Sequence, residues 1–108
     1  MRSYAIKYVE DMDRAVPFHQ EHLGLVLRFQ SPGWSEFDTG TTTLALHAAS
    51  PAHPAGSCQL GYRVPDIHAF HSDERAKGIV FTAPPTEVHG QRIARFRDCE
   101  GAECSVSG

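Results

Sequence analysis

Cysteine is scarce in this chain: three in 108 residues, at positions 58, 99 and 104, with neither CxxC nor zinc-finger spacing. A disulfide framework and a structural zinc cluster are thereby excluded, and a reducing cytoplasm is the expected location. No apolar run approaches the roughly 18 residues that a membrane span requires, and the apolar core of a signal peptide is missing after Met1. Charge of one sign is also lacking, since the formal net charge is −3 and the basic residues are scattered. Arg92, Arg95 and Arg97 form one local basic strand, which is too little for a nucleic-acid footprint. No serine or cysteine sits in a nucleophile-elbow motif. What remains is an ordinary globular composition, 41% hydrophobic and 21% charged, in a chain long enough for one shared core.

The chain states its pattern twice. Val9, Asp11 and Met12 recur as Val64, Asp66 and Ile67, a shift of 64 − 9 = 55. Each motif follows a short apolar run and precedes a helical stretch that stops at a glycine, Gly24 or Gly78. Residues 34–47 correspond to residues 92–107 at a shift of 59 or 60. Such internal duplication is a statement about the fold. Residues 3–9 have strand character. Asp11 is positioned to cap a helix over 12–23, with Met12, Ala15, Val16, His19 and Leu23 at helical spacing. Pro17 costs roughly 3 kcal/mol in a helix interior, so a late or kinked start is expected. Strands follow at 25–29, 35–38 and 43–48. The Pro/Ala/Gly-rich residues 51–57 read as a linker. The second half predicts a strand at 58–64, a helix at 67–77, and strands at 80–82, 92–97 and 103–106. Residues 83–90 are expected to be a loop, because Pro84-Pro85 cannot occupy a central strand.

This βαβββ order, stated twice, carries the Val-x-Asp-Met-Asp-Arg-Ala opening, Phe18-His19-x-x-His22-Leu23-Gly24-Leu25 at the helix exit and Phe96-Arg97-Asp98-Cys99-Glu100-Gly101 near the end. Together these resemble the vicinal oxygen chelate superfamily, which includes glyoxalase I, extradiol dioxygenases and the fosfomycin- and bleomycin-resistance proteins. Cys99 and Ala102 replace the family's usual Pro and Asn, while Asp98 and Gly101 keep the turn chemistry. The resemblance implies an α+β fold in which two tandem βαβββ modules, about 1–50 and 58–108, form a curved, partly open mixed-sheet barrel. It also implies a homodimer.

In metal-dependent members of that superfamily, four cavity-facing positions carry His or carboxylate, one each on the first and fourth strands of each half. Carried over, these positions fall on Tyr4, Ala45, Gln59 and Ser105. Tyrosine is a poor divalent ligand, glutamine and serine are weak, and alanine is none. No metal cofactor is therefore expected. The alternative is a Zn, Ni, Fe or Mn site built from His47 and Glu103, which lie two residues from Ala45 and Ser105 and share their faces. That would suit a metal-dependent lyase, isomerase or dioxygenase.

The remaining candidates divide between core and site. His19 falls on the apolar stripe, where a packed imidazole is expected. The pairs His19–His22 and His68–His71 share helical faces at i,i+3, and His53 and His89 lie in loops. Cys58 and Cys104 are expected to be small core residues. By strand alternation Tyr4, Ile6 and Tyr8 line one face, as do Gln59, Gly61 and Arg63, and Glu103, Ser105 and Ser107. Trp34 is either a core or dimer-interface aromatic or a platform for ligand stacking. Arg63 could pair with Glu103 or with an anionic ligand, and Arg92 is a second candidate. Tyr4, Tyr8, Trp34, His47, Gln59, Arg63, Arg92, Glu103 and Ser105 thus form the expected ligand-binding set. The expected activity is metal-independent binding or sequestration of a small aromatic or cationic molecule in a cleft between the modules, with no nucleic-acid or membrane partner. The sequence assigns no catalytic residue.

Overall fold

The fold class is α+β. A computed structural model describes residues 2–88 and 90–108; His89, a loop residue by sequence, and Met1 lie outside them. Two compact units divide the chain: Tyr4–Cys58, and Gln59–Gly108 with Arg2 and Ser3. Residues 51–57 fold with the first unit.

The first unit holds β1 (Arg2–Val9) from Tyr4 onward, α1 (Met12–Glu21), β2 (Val26–Gln30), β3 (Trp34–Asp38) and β4 (Thr43–Ala48). Its strands are ordered β2-β3-β4-β1, with β1 parallel to β4 and the other neighbours antiparallel. The second unit runs β5 (Cys58–Arg63), α2 (Ile67–Ala76), β6 (Phe81–Val88), β7 (Gln91–Arg97) and β8 (Glu103–Ser107). Its order, β5-β8-β7-β6, repeats the first, again with the opening strand parallel to the closing one.

The duplicated aspartates act as expected. Asp11 and Asp66 are the N-caps: Asp11 Oδ1 accepts from the Asp13 and Arg14 amides at 3.0 and 3.3 Å, and Asp66 Oδ1 from the His68 and Ala69 amides at 3.0 and 3.1 Å. The Asp11 carbonyl also accepts from Ala15 at 2.9 Å, so the first turn of α1 closes before Pro17 is reached. The helix therefore begins at Met12 with Pro17 inside it, which corrects the expected late start. At the end of α2 the Ile79 amide bonds the Glu74 carbonyl and Gly78 the Arg75 carbonyl, with Gly78 at φ 102°. That hydrogen-bond pair requires a left-handed residue, which glycine supplies without strain.

Each helix covers one face of its own sheet. Met12 and Val16 of α1 pack with Phe37 and Leu46, while Ile67 of α2 packs with Ala94, Phe96, Cys104 and Val106. Odd and even positions of each strand are thereby sorted into a helix-covered face and a helix-free face.

The segment over 83–90 differs from expectation. Strand β6 continues through Pro84-Pro85 to Val88, because it is an edge strand and its pairing with β7 slips at just those residues, between Ala83 and Thr86. A missing amide donor is tolerated at an edge or a bulge, where no ladder bond is due. A second slip, between Phe81 and Ala83, leaves Thr82 as the extra residue, and β2 slips likewise around Arg28. The duplication thus extends to a bulge in the second strand of each unit.

The caps give a direct stability test. Asp11→Ala and Asp66→Ala should each cost about 1 kcal/mol in denaturant unfolding. Unchanged midpoints would mean that the helices do not depend on these side chains.

Candidate functional site

The parallel pairing of opening and closing strands sets which side chains share a rung on each helix-free face. In the first unit Ile6, Ala45 and Glu36 form one rung and Tyr8, His47 and Trp34 the next. In the second unit the same register gives Gly61, Ser105 and Arg95, then Arg63, Ser107 and Ile93. Ala45 and Ser105 are therefore structural equivalents, as the sequence alignment required, and Glu36 has Arg95 as its counterpart.

The first unit's face is aromatic. Ile6, Tyr8 and Ala45 are buried, with Tyr4, Trp34 and Ala49 packed against them. Tyr8 is 2% exposed. The Tyr8 ring lies 5.2 Å from the His47 ring and is stacked on His53 at 4.5 Å and 15°. His53 arrives from residues 51–57, which are tied to β1 by bonds from Tyr8 N to the Ser57 carbonyl and from Gly56 N to the Tyr8 carbonyl. Strand alternation does not reveal this role for His53, because the contact depends on how the linker folds back. His47 Nδ1 lies 2.7 Å from the Ala48 carbonyl, which can only accept, so this ring nitrogen is the donor of the bond. Trp34 meets the His47 ring edge-on at 5.8 Å, and its indole N–H donates to Glu36 Oε2 at 3.1 Å.

The second unit's face is polar. Glu103 accepts from the Gln59 amide at Oε1 (3.1 Å) and from the Thr82 hydroxyl at Oε2 (2.9 Å). Thr82 reaches it from the bulge in β6. Arg95 Nη1 stands 3.8 Å from Glu103 Oε1, so the guanidinium that approaches this carboxylate belongs to Arg95 and not to Arg63. Sequence reasoning missed both Thr82 and Arg95: the first needed the bulge, the second the register of β7. Gln59 is 7% exposed and Ser105 and Ser107 4% each. Ser107 Oγ has no hydrogen-bond partner among the described residues. Arg63 is exposed on this face, on the rung of Ser107.

Arg92 lies apart from these residues. It alternates with Ala94 and Phe96, which face α2, and its Nη1 stands 3.3 Å from His68 Nε2. His71 packs edge-on against Phe81 at 4.6 Å. His19 is buried, stacked on Phe37 at 5.6 Å with Nδ1 2.7 Å from the Ala15 carbonyl, which makes it a core residue. Cys104 is also core, but Cys58 is exposed, contrary to expectation, because it opens β5 and alternates away from buried Gln59.

A divalent metal does not fit the family-equivalent positions. Ala45 offers no donor, the Gln59 amide nitrogen is directed at Glu103, and both Glu103 oxygens already accept hydrogen bonds. Among the described residues no three His, Cys, Asp or Glu side chains converge. Two surface hollows lie away from these residues: one of about 380 Å³ is bordered by Glu10, Asp11, Asp13 and Gln30, and one of about 420 Å³ by His71 and Arg75.

The profile of the Glyoxalase/Bleomycin resistance protein/Dioxygenase superfamily matches residues 3–105, and the chain belongs to that superfamily. Solved structures agree on the fold. The NAD-dependent benzaldehyde dehydrogenase from Legionella pneumophila aligns at TM-score 0.81 and 18% identity, covering 97% of this chain and 96% of that one. Methylmalonyl-CoA epimerase from Mycobacterium tuberculosis aligns at TM-score 0.71 and 20% identity, covering 96% and 84%. A superfamily member from Vibrio splendidus 12B01 aligns at 0.67 and 13%, covering 98% and 97%. No curated protein matches the sequence. No helix is long and apolar enough to cross a membrane among the described residues.

Burial, with the negative charges of Asp98 and Glu103 adding to it, holds the Cys104 thiol above its ordinary value. A protonated, enclosed thiol is a poor nucleophile. In the folded protein a thiol-specific reagent should therefore modify Cys58 and Cys99 quickly and leave Cys104 until the chain is unfolded; rapid modification of all three would contradict the packing described.

Proposed function

We propose that this superfamily member binds a small molecule without a metal cofactor, and that the aromatic face of the first unit supplies the stacking surface. The observation that carries the reading is the fate of the ligand-equivalent positions. Tyr4, Ala45, Gln59 and Ser105 stand there, and Gln59 spends its amide on Glu103. A metal-dependent alternative using His47 and Glu103 would need Glu103 to give up bonds to Gln59 and Thr82. Removing those partners from a part-buried carboxylate costs on the order of 1–3 kcal/mol per unsatisfied group, before any metal is gained.

Trp34 and His47 suit an aromatic ligand. Both are half-buried, their rings are fixed by the Glu36 and Ala48 contacts, and ordered rings give contact area at little entropic cost. Tyr4 and Tyr8 belong to the supporting layer behind them. A homodimer located in the cytoplasm completes the proposal. Exposed Val26 and Phe29 on edge strand β2 and Val88 on edge strand β6 support self-association, since open apolar edges favour pairing.

Protein purified without chelator should contain no stoichiometric Zn, Ni, Fe or Mn, and planar aromatic compounds should quench Trp34 fluorescence saturably with or without chelator. Stoichiometric metal that is lost in His47→Ala would overturn the reading in favour of the metal-dependent enzyme.

A further inference from the structure

We infer that Arg95 takes over the electrostatic task of the missing metal and that the helix-free face of the second unit receives the carboxylate of an organic acid. The inference rests on the metal-independent reading above. Its starting point is an imbalance in how hydrogen bonds are shared. Glu103 is satisfied by Gln59 and Thr82 at 3.1 and 2.9 Å, whereas Arg95 stands 3.8 Å away, close enough to be held by charge but too far for a hydrogen bond.

The guanidinium of Arg95 makes no hydrogen bond among the described residues. Its side chain is 37% exposed, so part of it remains in solvent and part is withdrawn. A planar fork of N–H groups in that setting matches a carboxylate in two-point fashion better than it matches water. Other arginines of the same strand are committed: Arg97 donates to the Gly101 carbonyl at 2.9 Å, and Arg92 meets His68 on the opposite face.

The placement of Arg95 is also specific. It shares a rung with Ser105, the position equivalent to Ala45, and with buried Gly61, which places no side chain beside the guanidinium. The next rung carries Arg63 and Ser107, and the Ser107 hydroxyl is a buried donor with no partner among the described residues. Arg63, Arg95 and Arg97 against the one carboxylate of Glu103 give this face a net positive charge. The first unit carries Glu36 at the place equivalent to Arg95, so the two copies have diverged to opposite charge at one position. An anion is the ligand charge that the second unit favours, in contrast to the cationic molecule considered from sequence.

Benzoate and its neutral isostere benzamide test this, with the side-chain Nε–H resonance of Arg95 followed by NMR. Benzoate should shift that resonance saturably and bind at least about tenfold tighter than benzamide, the effect expected of a charge-assisted bond. Arg95→Met should abolish the preference, and Arg95→Lys, which keeps the charge without the fork, should retain part of it. Equal affinity for the two compounds, no saturable shift, or an unchanged preference in Arg95→Met would each overturn the inference. Should Arg95→Met fail to fold, the wild-type shift and Arg95→Lys still decide. These outcomes leave the metal-independent reading standing, which only metal in the wild-type protein would remove.

Discussion

Parallel pairing between the first and last strand of each unit is the constraint on which the site depends. It forces the chain to cross over through a helix and two further strands, and it puts residues from opposite ends of the unit on one rung. Once α1 or α2 covers one sheet face, alternation leaves the other to Tyr8, Ala45 and His47 in the first unit and to Gly61, Ser105 and Ser107 in the second. The rungs of each helix-free face then follow from strand register, and only His53, from residues 51–57, and Thr82, from the bulge in β6, are added by less regular backbone.

The two copies have used that frame differently. In the first unit the face is filled by rings, and the polar atoms serve to fix them: the indole N–H on Glu36, the imidazole on the Ala48 carbonyl, the phenol ring under His53. In the second unit the face is built around a carboxylate whose hydrogen bonds come from uncharged donors. Glu103 is thereby held in place without depending on Arg95, and a bulge in edge strand β6 is needed to bring Thr82 within reach. Within the first unit Ala45 offers no donor, and within the second the Glu103 oxygens already accept hydrogen bonds from Gln59 and Thr82.

Much of the fold was legible because local signals and duplication agreed. Asp11 and Asp66 mark helix starts by the same capping chemistry, Gly78 marks a stop, and the 55- and 60-residue offsets that equate Tyr4 with Gln59 and Ala45 with Ser105 reappear in the strand register. The errors arose where a local rule met an edge or a crossover. Pro84-Pro85 reads as a loop until β6 is known to lie at a sheet edge, and Pro17 reads as a disruption until the Asp11 cap is seen to close the turn before it. Of the candidate site, the strand alternation was readable, and so were Tyr8, His47, Gln59 and Glu103. Arg95, Thr82 and His53 were not, because their placement depends on the register of β7, a bulge in β6 and the path of residues 51–57, none of which has a signature in the sequence.

The most direct test is anomalous diffraction from crystals grown with a divalent nickel or zinc salt. The account predicts no anomalous peak beside Tyr4, Ala45, Gln59 or Ser105, with the Gln59 amide still bonded to Glu103. A peak within coordination distance of any of these side chains would contradict it.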